Sequence, residues 1–110
     1  MPRLDARAHL ASLAGQTILT ATRRQPNRIL RVTSESAFVA SDKSPHGQPV
    51  PLEDVQAAFD RLAAGEEVRI SVSSLGYRSA FVGAAMLSLP GAELLQGPTR
   101  IRLAPGSPLS

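Results

Sequence analysis

A chain of 110 residues supports one independent core and is too short for two. The absence of cysteine excludes disulfides, thiolate metal sites and cysteine nucleophiles, and fits a reducing compartment. With no cleavable apolar leader and no apolar run near the roughly 20 residues that span a bilayer, the expectation is a soluble, cytoplasmic protein with no membrane partner.

Residues 3–14 read as a first helix: Leu4, Ala8, Leu10, Ala11, Leu13 and Ala14 form an imperfect apolar stripe after Pro2, and Gly15 closes it. β-Branched and apolar runs follow at 17–20, 29–33 and 37–40, separated by the turn formers Gln25-Pro26-Asn27 and Ser34-Glu35-Ser36; they predict a three-stranded antiparallel meander. Residues 41–51 carry Pro45, Gly47, Pro49 and Pro51 and read as a stiffened loop outside the sheet. From residue 52 the period turns helical. Leu52, Val55, Phe59 and Leu62 recur at spacings of 3, 4 and 3, Ala58 and Ala63 widen the apolar face, Glu53 and Asp54 sit where the helix dipole favours them, and Gly65 ends the element. Val68, Ile70 and Val72 alternate with polar residues as a short strand over 68–72.

The stretch 73–91 opens on Ser73 and Ser74, either of which can cap a helix, and from Ala80 onward is almost wholly apolar or small. A helix with no angular sector left for water belongs in the middle of a domain. Its first turn gathers Tyr77, Arg78 and Ser79 at the positive end of the dipole, and Pro90-Gly91 closes it. Two last runs, 92–95 and 99–103, flank Gln96-Gly97-Pro98 and read as a β-hairpin, with Ile101 and Leu103 toward the core and Arg100 and Arg102 on the opposite face. Residues 104–110 have the composition of a flexible tail or linker, which leaves 1–103 as the folded domain.

Charge is unevenly spread. Residues 1–51 hold seven basic and three acidic side chains, 52–67 one and five, and 68–110 four and one, so a polyanion is attracted by the first and third regions and repelled by the second. Eleven of the twelve basic residues are arginine, whose planar fork donates two bonds at once to phosphate or guanine, although arginine richness also follows from a GC-rich genome. Arg23, Arg24 and Arg28 crowd the connection between the first two strands, as a phosphate-contacting hairpin tip or as a solvated turn. Lys43, Ser44 and His46 sit in the proline loop, where they present donors to a nucleic-acid backbone or simply bridge sheet and helix. Ser73, Ser74, Tyr77, Arg78 and Ser79 mark the helix end that would approach a groove, with Tyr77 and Arg78 reaching bases. The bland alternative is a serine cap, a boundary tyrosine and a solvated arginine. Arg100 and Arg102 would hold phosphates from the hairpin.

Together these elements predict an α+β domain: three helices, a small antiparallel meander and a C-terminal hairpin. The order helix, strand, helix and hairpin over 52–103 resembles a winged-helix unit, although a strand stands where a tight turn is usual. The strings Arg24-Gln25-Pro26-Asn27-Arg28-Ile29-Leu30, Lys43-Ser44-Pro45-His46-Gly47-Gln48-Pro49-Val50-Pro51 and Gly76-Tyr77-Arg78-Ser79-Ala80-Phe81-Val82-Gly83, followed by Leu89-Pro90-Gly91, resemble small N-terminal modules of HNH-type restriction endonucleases. That resemblance spans residues 10–103 and implies a module that reads DNA, sometimes modified DNA, while a separate domain cuts it. The His and Asn pattern of the nuclease itself is missing.

Catalytic grouping is thin. His9 and His46 have no partner spacing, no nucleophile elbow, phosphate loop or dinucleotide fingerprint occurs, and the single lysine lies in the proline loop. The expectation is therefore a non-catalytic domain with no cofactor and no metal. Its partner would be double-stranded DNA, its setting a restriction or phage-defence protein, with an effector domain on the same polypeptide. The alternative is a protein-interaction or assembly domain that works through an apolar patch on Leu94-Leu95 or on the meander.

Overall fold

The structure, a computed structural model, describes residues 5–20, 24–42, 44–70, 79–97 and 99–104. Helix α1 (Ala6–Ser12) starts at Asp5, whose carboxylate accepts the Ala8 N–H at 3.1 Å. The side-chain oxygen of Gln56 accepts the Ala6 N–H at 2.9 Å, so one orphan donor of the first turn is satisfied from a different element. The helix stops short of the residue 14 expected from sequence. Gly15 gives its N–H to the carbonyl of Ile29 at 2.6 Å, and a backbone already paired to a strand cannot continue the helical ladder.

Four strands follow, β1 (Thr17–Leu19), β2 (Pro26–Val32), β3 (Ser36–Ala40) and β4 (Gln48–Pro51), in the order β1-β2-β3-β4 with every neighbouring pair antiparallel. The expected three-stranded meander is thus one strand too small, and part of the proline loop belongs to the sheet. Proline is tolerated there because Pro49 and Pro51 are two residues apart, so their missing donors fall on the same side of a rim strand while Gln48 and Val50 keep theirs. A second correction concerns Arg28, which lies not in the connection but inside β2, opposite Thr17 and Ala40. The turn is tighter than expected, because Thr20 gathers it. Its N–H binds the Gln25 carbonyl at 3.0 Å and its hydroxyl accepts the Gln25 N–H at 2.9 Å.

Helix α2 (Leu52–Ala63) buries Leu52, Val55, Ala58, Phe59 and Leu62 as its spacing predicts, whereas Ala63 is exposed. Beyond it come β5 (Val68–Arg69), helix α3 (Ser79–Leu87), β6 (Ala92–Leu95) and β7 (Arg100–Leu103). The last three strands form a second antiparallel sheet in the order β5-β7-β6. The strand expected over 68–72 ends at Arg69, with residues 71–72 outside the described set. The fold is α+β, with three helices and two antiparallel sheets among the described residues, and no described helix is long and apolar enough to cross a membrane.

In α3 every residue from Phe81 to Met86 is buried, as a helix without a polar sector requires. It touches α2, β1, β6 and β7, and α2 likewise touches both sheets through β4, β5 and β7. The two sheets are therefore joined through shared helices and one apolar core that includes Leu10, Ile29, Phe59, Met86 and Ile101. Fully burying one such side chain contributes about 1.5–3 kcal/mol. Within the core the packing is tight at Gly83, where an added Cβ would meet three atoms of Ile70 at 3.1–3.3 Å. Glycine gives up helix propensity here so that Ile70 can lie against the backbone. Gly83→Val is expected to lower the free energy of unfolding in urea by roughly 1–3 kcal/mol, and adding Ile70→Ala should recover part of that loss, which measures their coupling.

Candidate nucleic-acid interface

The two sheets treat most of their arginines differently, the exception being Arg69 of β5, which is exposed and has no ion pair among the described residues. On the second sheet, Arg100 and Arg102 stand on the face opposite buried Ile101 and Leu103, as expected. Arg100 Nε lies 2.7 Å from Glu67, and Arg102 Nε lies 3.0 Å from Glu93, its antiparallel partner, with Arg102 also 3.8 Å from Glu67. Each such half-exposed pair stabilises the fold by less than about 1 kcal/mol. Together, however, they set two carboxylates against two guanidiniums, and a phosphate approaching Arg102 would meet both acids.

The first sheet carries no Asp or Glu in any of its four strands, and none occurs anywhere from residue 6 to residue 34. Ile18, Ile29, Ala37, Val39 and Val50 point into the core, which turns their strand neighbours outward. At Leu30 the alternation breaks. Ile29 pairs with Val39 but Arg31 pairs with Phe38, so Leu30 is the extra residue of a β-bulge, and both Leu30 and Arg31 are exposed. Arg31 lays its guanidinium over the Phe38 ring at 4.2 Å from the centroid, a cation–π contact. Leu30 leans toward Gly47, where an added Cβ would stand 2.8 Å from its Cδ1 and where φ is +92°. Leu19 and Leu30 are 42% and 40% exposed, the two large exposed apolar side chains among the described residues. Leu94 and Leu95 are half-buried, so the meander is the more open apolar surface.

Arg28 and Arg31 are exposed on this sheet, and Arg24 is exposed at the β1–β2 turn; no ion pair among the described residues involves any of the three. Arg24 adopts φ of +53°, a left-handed conformation that costs an L side chain on the order of 1 kcal/mol. Of the other residues singled out from sequence, His46 is exposed in the loop before β4 and Ser44 exchanges backbone bonds with Ser41 at 3.1 Å. Ser79 begins the described part of α3. Arg23, Lys43, Ser73, Ser74, Tyr77 and Arg78 lie outside the described residues. Arg24 and Arg28 therefore share the acid-free sheet and its rim, while Arg100 and Arg102 belong to the other. Sequence reading passed over Arg31, Phe38, Leu19 and Leu30. The long gap between Asp5 and Glu35 was the signal available for them.

His9 also has a partner that sequence spacing did not show. Its Nε2 is 2.8 Å from the Ser88 hydroxyl, and its ring meets Phe59 edge-on at 5.8 Å. The Ser88 hydroxyl donates to the Ala85 carbonyl at 2.6 Å, so in the His9 contact it accepts and the imidazole donates. This polarity is opposite to that of a serine activated by a base, and the pair ties α1 to the end of α3. No cluster of three or more His, Asp or Glu placed to hold a metal ion occurs among the described residues. In comparisons with family models, curated proteins and solved structures, the chain matches none.

Burial holds the His9 pKa below its ordinary value of 6.5. A proton is thus bound more readily by the unfolded chain, and stability that is complete above about pH 6.5 declines as the pH falls below it. Chemical denaturation between pH 7 and pH 5 should show this decline, and His9→Gln, which keeps a donor without titrating, should flatten it. At the β1–β2 turn, Arg24→Asn should raise stability by on the order of 1 kcal/mol by relieving the left-handed arginine, measured by urea denaturation.

Proposed function

We propose that this domain binds nucleic acid through the outer face of its first sheet. The observation that carries the reading is a sheet whose four strands hold no acid, with Glu35 and Asp42 only at its turns, and on which Arg28 and Arg31, with Arg24 at the rim, have no carboxylate partner among the described residues. Guanidiniums left without counter-charge attract a polyanion, and neutralising each phosphate releases condensed cations. In the winged-helix reading of the sequence, duplex DNA meets residues 73–79 and the hairpin. That route relies on side chains outside the described residues and on Arg100 and Arg102, which already hold Glu67 and Glu93. The sheet face carries the proposal instead. A restriction or phage-defence protein, with this domain delivering nucleic acid to an effector, is the cellular setting we propose for it.

A protein-docking role is the second reading, favoured by the exposure of Leu19 and Leu30 on the same sheet. The two readings part on salt. Fluorescence anisotropy with a labelled mixed-sequence oligonucleotide should give an affinity that falls steeply with salt. Arg28→Ala should flatten the log–log slope by about 0.7–0.9, whereas Arg100→Ala and Arg102→Ala should leave it unchanged. A slope sensitive to Arg102 and not to Arg28 would return the interface to the hairpin, and salt-insensitive or absent binding would favour protein docking.

A further inference from the structure

We infer that the occupant of the first sheet's outer face is a single strand of DNA, its bases stacked on the Arg31–Phe38 pair. The inference rests on the nucleic-acid reading above and narrows it to one substrate class.

Width keeps this face out of an undeformed duplex groove. Adjacent strands lie about 4.8 Å apart, so four of them span about 14 Å between the rims before side chains are added. The major groove is about 12 Å wide and the minor groove about 6 Å. A two-stranded ribbon enters the major groove; this sheet, laid face-on, does not. Bases reach such a surface only when they are unpaired and brought to it.

What stands on the surface suits bases more than phosphates. Phe38 lies in β3, an inner strand, and its ring is covered by the Arg31 guanidinium at 4.2 Å. A guanidinium lying over a ring extends the surface on which a base can settle, and unpaired bases stack on both aromatic and guanidinium planes. Around the pair, Leu30 and Pro49 supply apolar contact, with Pro49 directly opposite Phe38 in register. Arg28 sits opposite Ala40, two residues along β3 from Phe38, or about 7 Å, within an arginine side chain's reach of the phosphate next to a stacked base. The same face offers few hydrogen-bonding groups besides its arginines: Thr17 and Ser36 carry the hydroxyls of β1 and β3. It therefore has little with which to read base edges or a ribose 2′-hydroxyl, and a DNA strand of relaxed sequence preference is the matching ligand.

The test uses the full chain, a fluorescein-labelled thymidine 12-mer, its duplex with the complementary strand, and the matching uridine 12-mer. The single DNA strand should bind at least tenfold more tightly than the duplex, with RNA equal or weaker. Phe38→Leu should weaken single-strand binding by about 5- to 100-fold without changing the salt slope. Arg31→Lys, which keeps the charge but removes the plane, should weaken it severalfold with the slope again unchanged. Because the chain contains no tryptophan, Phe38→Trp provides a sole indole whose emission should be quenched by a stacked thymine, a response that a purely structural role would not produce. Salt-dependent binding that Phe38→Leu leaves intact, a duplex bound as tightly as the strand, or RNA bound tenfold more tightly would overturn this inference while sparing the nucleic-acid reading. No binding to any of the three probes, with concentration-dependent self-association abolished by Leu30→Glu, would overturn both.

Discussion

The structure depends on a helix that has nowhere to put water. α3 is buried at every residue from Phe81 to Met86, and a cylinder apolar on all sides must be enclosed on all sides. Neither sheet is large enough to enclose it. β1 of the first sheet, β6 and β7 of the second and α2 alongside complete the enclosure. The same demand explains Gly83, since the helix backbone itself has to come within reach of Ile70. The two sheets, once committed to covering helices with their inner faces, are left with one outer face each. Those outer faces differ in charge, and that difference is the origin of the candidate site.

On the second sheet, two of the three arginines are neutralised by acids, and Arg69 of β5 has no ion pair among the described residues. Glu93 and Arg102 are cross-strand partners, and Glu67 reaches Arg100 and Arg102 from the segment just before β5. On the first sheet the arginines have no such partners among the described residues, and Arg31 has been turned onto an aromatic ring by the bulge at Leu30. A pairing irregularity of a single residue thus does two things. It breaks the in-out alternation so that Leu30 and Arg31 both stay outside, and it aligns Arg31 with Phe38 in place of Ala37. Without the extra residue the guanidinium and the ring would not be register partners.

The helical part of this architecture was legible from sequence because helices advertise their buried face locally. The spacing Leu52, Val55, Phe59, Leu62 and the unbroken apolar run after Ala80 each determine burial without reference to distant chain. Strand pairing is not local. Pro49 and Pro51 argue against a strand when read alone, and they become acceptable only once β4 is known to be a rim. Arg28 looked like a turn residue because Gln25-Pro26-Asn27 precedes it, yet the hydroxyl of Thr20 closes the turn earlier and leaves Arg28 in the ladder. The bulge that makes the Arg31–Phe38 pair has no compositional mark at all. Counting arginines suggested a polyanion partner, but only the positions of Glu67 and Glu93 separate the arginines that are already matched from those that are not.

The prolines of β4 have a consequence for the chain's life among its own copies. A sheet with a bare rim is a template on which another strand can add, and successive additions lead toward fibrils. Proline at alternate positions removes the donors along that rim, so an incoming strand finds acceptors but not the full ladder it needs. A surface holding Leu19 and Leu30 in the open would otherwise invite sheets to zip together edge to edge. With this one of the sheet's two borders closed to recruitment, strands cannot add in a full ladder beyond β4, and growth from that side is blocked while the exposed leucines stay available for a ligand.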